Sequence, residues 1–120
     1  MKRLTDNEEN IMNYLWSSAE PLGLRELSDR SGVGYRSTYD FLENLKKKGF
    51  VGVDKVVSDP SSRGNHSLYG IRVTYAEYLF GNLIQKSMVV DVIKTGLKIC
   101  TKEQRKQIKK LLNEMDKEGE

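Results

Sequence analysis

At Phe50 the apolar residues of this chain change period, and few folds accommodate that change. Upstream, apolar side chains recur three and four residues apart, the spacing of helices that bury one face. Downstream, Val51, Val53, Val56 and Val57 supply β-branched strand chemistry, which stops at the turn-rich run Ser58-Asp59-Pro60-Ser61-Ser62-Arg63-Gly64-Asn65. Leu68, Tyr69, Ile71 and Val73 then resume it. The pattern predicts helices followed at once by a β-hairpin with a polar loop.

Three helical segments precede the switch. Thr5-Asp6-Asn7-Glu8 fits a capping box, in which hydroxyl and carboxylate satisfy each other's backbone amides. Behind it Ile11, Met12, Leu15 and Trp16 form one apolar stripe, and the helix ends before Pro21. Leu22 and Leu24 lead into a second helix over Arg25 to Arg30, with Leu27 inward and Ser31-Gly32 as its stop. Gly32-Val33-Gly34 turns the chain. Thr38, Phe41, Leu42 and Leu45 then repeat at i, i+3, i+4, i+7 as far as Lys46-Lys47-Lys48 and Gly49. This third helix, Gly34 to Lys48, has cations at its C-terminus, where the helix dipole favours them, and a glycine stop. Three helices with a tight turn before the third, then two strands about a loop, is the order of a winged helix-turn-helix.

Past the hairpin, Thr74 to Lys86 reads as helical, with Tyr78, Leu79, Leu83 and Ile84 on one side, and Ser87 to Ile99 is a second apolar stretch. Thr101-Lys102-Glu103-Gln104 opens a last helix, on which Ile108, Leu111, Leu112 and Met115 make a stripe. A small winged-helix domain cannot cover so much extra apolar surface, and a second copy of the chain supplies the missing partner. The expected organisation is mostly α with a small β-hairpin, an α+β class. Residues 1–73 form the winged-helix domain, and residues 74–120 a helical dimerisation region that uses Leu79, Leu83, Ile84, Val92, Ile108, Leu111, Leu112 and Met115.

The formal net charge of +3 decides nothing, but its distribution is informative. Residues 1–33 hold four Lys/Arg against six Asp/Glu, residues 34–73 seven against four, and residues 74–120 nine against seven. The third helix and the hairpin are thus the candidate electrostatic footprint for duplex DNA. In a helix-turn-helix the second helix of the pair enters the major groove while the wing touches backbone or minor groove. With Thr38, Phe41, Leu42 and Leu45 inward, Arg36, Tyr39, Asp40, Glu43 and Lys47 face outward. Arg36 suits guanine or a phosphate clamp, Tyr35 and Ser37 can donate to phosphate, and Tyr39 can stack on a thymine methyl or a sugar. Lys47 is assigned to phosphate, and Arg63, Gly64, Asn65 and His66 to the wing. Asp40 and Glu43 repel phosphate, which leaves a protein-interaction module as the alternative.

Other functions find little support. No run approaches the ~18 apolar residues of a membrane span, and Met1 to Leu4 lead straight into a cap, so a cytoplasmic protein without a membrane partner is expected. Cys100 is the only cysteine and lies in an apolar stretch, where it reads as packing. His66 has no second His or Cys at ligand spacing, and no nucleophile-base pair or phosphate-cradling glycine loop is present. Neither a metal, a cofactor nor enzymatic activity is expected.

These residues resemble the penicillinase-repressor (BlaI/MecI-type) family. Leu4-Thr5-Asp6 with Glu8, Ile11-Met12-Asn13 and Leu15-Trp16 look like its first helix, and Pro21-Leu22 with Arg25-Glu26-Leu27 like its second. Tyr35, Leu42, Leu45 and Lys47-Lys48-Gly49 match the recognition helix, and Arg63-Gly64, Tyr69 and Glu77-Tyr78-Leu79 match the wing and the start of the dimer helices. The resemblance implies a dimeric repressor on a pseudo-palindromic operator. Arg36, Ser37 and Tyr39 stand where the family commonly has Thr, Thr and Lys, and Asp40 and Asn44 where Thr and Arg are common, so the operator sequence does not carry over. Between Tyr78 and Thr101 there is no Asn-Phe pair of the kind cut by a sensor protease, and no cysteine-rich tail of the copper-responsive branch. The upstream sensor stays unassigned.

Overall fold

A computed structural model describes residues 3–58 and 64–118. Helix α1 (Asp6–Trp16) starts at the expected cap: the Thr5 hydroxyl accepts from the Glu8 amide at 3.3 Å while the Glu8 carboxylate accepts from the Thr5 amide at 2.9 Å. Ile11, Met12 and Leu15 are buried from it, and Trp16 is half-buried with its indole N–H on the Val73 carbonyl, 2.9 Å away. Strand β1 (Leu22–Gly23) follows and runs directly into α2 (Leu24–Ser31), which ends on Gly32 in the left-handed conformation at φ 73°. A side chain is strained at that φ, whereas glycine carries no Cβ to clash.

Helix α3 (Tyr35–Lys47) buries Thr38, Leu42 and Leu45, each 0% exposed. Thr38 tolerates this because its hydroxyl donates back to the carbonyls of Gly34 at 3.0 Å and Val33 at 3.3 Å. Phe41, expected to be inward, is only half-buried at the edge of the core. After the Gly49 stop come β2 (Val51–Ser58) and β3 (Asn65–Ile71), and then α4 (Tyr75–Asn82).

The sheet has three antiparallel strands in the order β1-β3-β2 rather than the two expected, with Leu22 opposite Tyr69 and Gly23 opposite Leu68. Leu22-Gly23 has no strand signal of its own; pairing with β3 makes it a strand. The β2–β3 ladder shifts register between Val53 and Lys55, so Asp54 is an extra residue at a bulge. Its carboxylate meets the Arg72 guanidinium at 2.6 Å. That pair lies over the facing Gly52 and Gly70, where a Cβ would collide with it.

One core joins α1, α2, α3, the base of the sheet and α4. Its members include Leu4, Ile11, Leu27, Leu42, Leu45, Phe50 and Tyr78. Helix α4 opens with a second capping box, Thr74 with Glu77, and its Tyr78 ring sits 5.7 Å from Phe50 and 5.5 Å from Trp16. The Tyr78 hydroxyl accepts from the Leu4 amide at 3.1 Å and donates to Glu9 at 3.2 Å.

The chain divides into two compact units, residues 1–83 and 84–120. The second consists of a 3-10 turn (Lys86–Met88), α5 (Val89–Ile99) and α6 (Lys102–Glu118). The expected helix through Lys86 stops instead at Asn82, where Gly81 lowers helix propensity and the Asn82 amide bonds the Tyr78 carbonyl at 3.2 Å. Thr101 and Gln104 cap α6 reciprocally, at 3.0 and 3.1 Å. None of the described residues of this unit is fully buried: Leu111, Leu112 and Met115 stand exposed, and Ile84, Val92 and Ile108 are half-buried. Among the described residues no helix is long and apolar enough to cross a membrane.

Candidate nucleic-acid interface

The burial of one side of α3 fixes what its other side presents. Tyr35, Arg36, Ser37, Tyr39 and Asp40 are all exposed, clustered in the first two turns that follow the Gly32-Val33-Gly34 turn. Arg36 and Asp40 lie one turn apart with Nε and Oδ1 3.7 Å from each other, and the Arg36 guanidinium carbon is 5.9 Å from the centre of the Tyr39 ring. Glu43, expected among the outward residues, is half-buried. Burial, together with the Glu43 charge and more weakly Tyr39 and Tyr35, pushes the Tyr69 phenol above its ordinary pKa. Tyr69 is therefore neutral at physiological pH.

Beside this face lies a cleft of about 630 Å³ between the starts of α2 and α3 and the first half of β3. Gly23, Arg25 and Glu26 line one side, Tyr35 and Tyr39 the floor of α3, and Asn65, His66 and Tyr69 the wing. Both helices start at glycine caps, Gly23 and Gly34, with no side chain capping them. No side chain competes for their first-turn amides, an arrangement that suits an anion.

The lysine triplet at the end of α3 divides by role. Lys47 is exposed, as its assignment to phosphate requires, but Lys48 turns inward to the buried Glu8, Nζ to Oε1 2.6 Å. Gly64, Asn65 and His66 are exposed, the last two already inside β3, and Gly64 has φ 106°. Arg63 lies outside the described residues. Leu79 and Leu83, expected at the dimer contact, belong to the first unit; Ile84, Val92, Ile108, Leu111, Leu112 and Met115 belong to the second. Arg25 on the cleft wall and the inward Lys48 were not singled out from the sequence. The first could have been found from its place in the opening turn of α2, whereas a pairing across 40 positions leaves no local signal.

No family model matches the chain. Over 59 residues, 46% of this chain, it is 30% identical to the LexA repressors of two Leptospira biflexa strains, and it spans 29% of the length of those repressors. Among solved structures it is similar to the PcaV transcriptional regulator from Streptomyces coelicolor in complex with its natural ligand, at 16% identity and a TM-score of 0.50 over 99% of this chain and 79% of that one. It is equally similar to a MepR mutant from a multidrug-resistant S. aureus clinical isolate, at 16% identity and TM-score 0.50 over 98% of this chain and 80% of that one. The proteins it resembles are named as transcription regulators and repressors. At these identities the likeness speaks for the architecture: the chain has the α+β winged helix-turn-helix fold of transcription regulators.

Proposed function

We propose that this chain is a sequence-specific transcription repressor of the penicillinase-repressor type, acting in the cytoplasm as a homodimer on a pseudo-palindromic duplex operator. The observation that carries the reading is the exposed N-terminal face of α3, with Tyr35, Arg36, Ser37, Tyr39 and Asp40 set beside a cleft bounded by the wing. With α3 in the major groove and the wing at the neighbouring minor groove, the sugar-phosphate strand between the grooves crosses that cleft. There it meets Arg25, the tyrosine hydroxyls and uncapped helix amides, all donors suited to phosphate. The repressor type is supported by the residue pattern from Leu4 to Leu79 and by the repressors matched in sequence. The homodimer is supported by the uncovered apolar side chains of α5 and α6.

The test is titration of fluorescent duplexes with the full chain over a series of salt concentrations. Affinity that falls steeply as salt rises, with a selected sequence bound tighter than a scrambled one, supports the reading. No measurable duplex binding at low salt overturns it and favours a protein-interaction module, in which Asp40 faces a protein partner.

A further inference from the structure

Asp40 sits on the surface assigned to DNA, yet phosphate contact gives it no use. Its side chain is 56% exposed, Arg36 one turn earlier is 87% exposed, and their charged groups are 3.7 Å apart. A carboxylate turned toward a duplex is repelled by every phosphate, and the groups on DNA that attract it are the amino donors of base edges. In the major groove a G·C pair presents guanine N7 and O6 as acceptors and, next to them, the cytosine N4 amine as donor. A guanidinium beside a carboxylate is complementary to that order. An A·T pair offers no two adjacent acceptors to a guanidinium, so the same charge pair fits it less well.

We propose that Arg36 and Asp40 act as one reading unit, Arg36 donating to guanine O6 and N7 while Asp40 accepts from the N4 amine of an adjoining cytosine, on the same or the next base pair. The inference rests on the assignment of α3 to the major groove. It makes Asp40 a determinant of specificity that lowers affinity for all duplexes through repulsion and restores it only where the cytosine donor is present. Tyr39, whose ring lies 5.9 Å from the Arg36 guanidinium, restricts where that side chain swings.

The experiment selects bound duplexes from a random pool with the full-length wild type, Arg36→Ala, Asp40→Ala and Asp40→Asn. Both side chains are outside the core, and matching thermal melts verify that the variants fold. The wild type is expected to select a half-site in which a required guanine and a required cytosine fall on the same or adjoining base pairs. Asp40→Ala should lose about tenfold of the discrimination at the cytosine while binding scrambled duplex more tightly. Asp40→Asn should move the preference at that position toward adenine, which an amide reads through N6 and N7. Replacing the selected guanine by 7-deazaguanine, which lacks the N7 acceptor, should weaken the wild type but not Arg36→Ala. If Asp40→Ala keeps every base preference and changes affinity alone, or if the wild type selects no guanine, the reading unit is refuted while the repressor assignment stands. Absence of binding to any duplex refutes the assignment itself.

Discussion

The Lys48 ammonium lies 2.6 Å from the Glu8 carboxylate, the same carboxylate that accepts the Thr5 amide, so one acidic side chain ties the first turn of α1 to the end of α3. Burial alone would raise the pKa of Glu8. The Lys48 bond and the amide and hydroxyl of Thr5 outweigh it and hold the carboxyl below its ordinary 4.5. A depressed folded pKa means stability that is fully present above 4.5 and lost as pH falls through the folded value. Glu8→Ala should cost about 3 kcal/mol, because it leaves a largely buried cation unpaired and removes a cap. Glu8→Gln keeps the capping geometry and should flatten the acid limb of the stability curve. Urea unfolding of both variants and wild type between pH 3 and pH 7 checks this, and an unchanged acid limb in Glu8→Gln would refute it.

Tyr78 should dominate the attachment of α4 to the rest of the first unit. Tyr78→Phe keeps the ring against Phe50 and Trp16 but loses the bonds to Leu4 and Glu9, at a cost of about 1 to 2 kcal/mol. Tyr78→Ala should cost about 3 to 5 kcal/mol. Denaturant midpoints followed by far-ultraviolet circular dichroism decide; equal midpoints for the two variants would show that the ring packing contributes nothing.

Arg36 and Arg63 should differ in what their removal changes. Arg36→Ala should cost about 1 to 3 kcal/mol on a selected operator and relax one base position in each half-site. Arg63→Ala should weaken operator and scrambled duplex about equally and lower the salt slope by roughly one per site. Paired titrations over several salt concentrations measure both effects, and an exchange of the two outcomes would move the recognition surface off α3.

Leu111 and Leu112 are exposed on a helix none of whose described residues is buried, which a second copy of the chain would remedy. In the full chain, Leu111→Asp with Leu112→Asp should convert a dimer to a monomer and weaken operator binding at least about tenfold, since each half-site is then bound alone. Sedimentation at micromolar concentration tests the first point. A wild type that sediments as a monomer there refutes the dimer.

Much of the fold could be read from residues because its signals are local. The Thr5–Glu8 and Thr101–Gln104 boxes, the Gly32 stop and the period change at Phe50 each need only a few neighbouring side chains, and each stands in the structure. The Thr74–Glu77 box is equally local, and the same rule finds it. What escaped the sequence is set by distant partners. β1 exists through Tyr69 and Leu68, Lys48 turns inward because Glu8 is there, and Tyr78 reaches Leu4 and Phe50, which lie far from it in the chain. At the candidate site, the exposed residues at the start of α3 were recoverable from its inward stripe. The cleft was not, because its far wall is the β3 strand some thirty residues downstream, placed by register alone.

The inward and outward residues of α3 interleave along the helix but separate by burial: Thr38, Leu42 and Leu45 lie in the core, while Arg36, Ser37, Tyr39 and Asp40 are exposed. Substitutions at exposed helix positions usually change stability by no more than about 0.5 kcal/mol. If α3 reads DNA as proposed, a lineage carrying this scaffold can exchange one preferred duplex for another by drift at these exposed positions without passing through unfolded intermediates, and the same separation makes the helix a practical target for redesigning which sequence the chain binds.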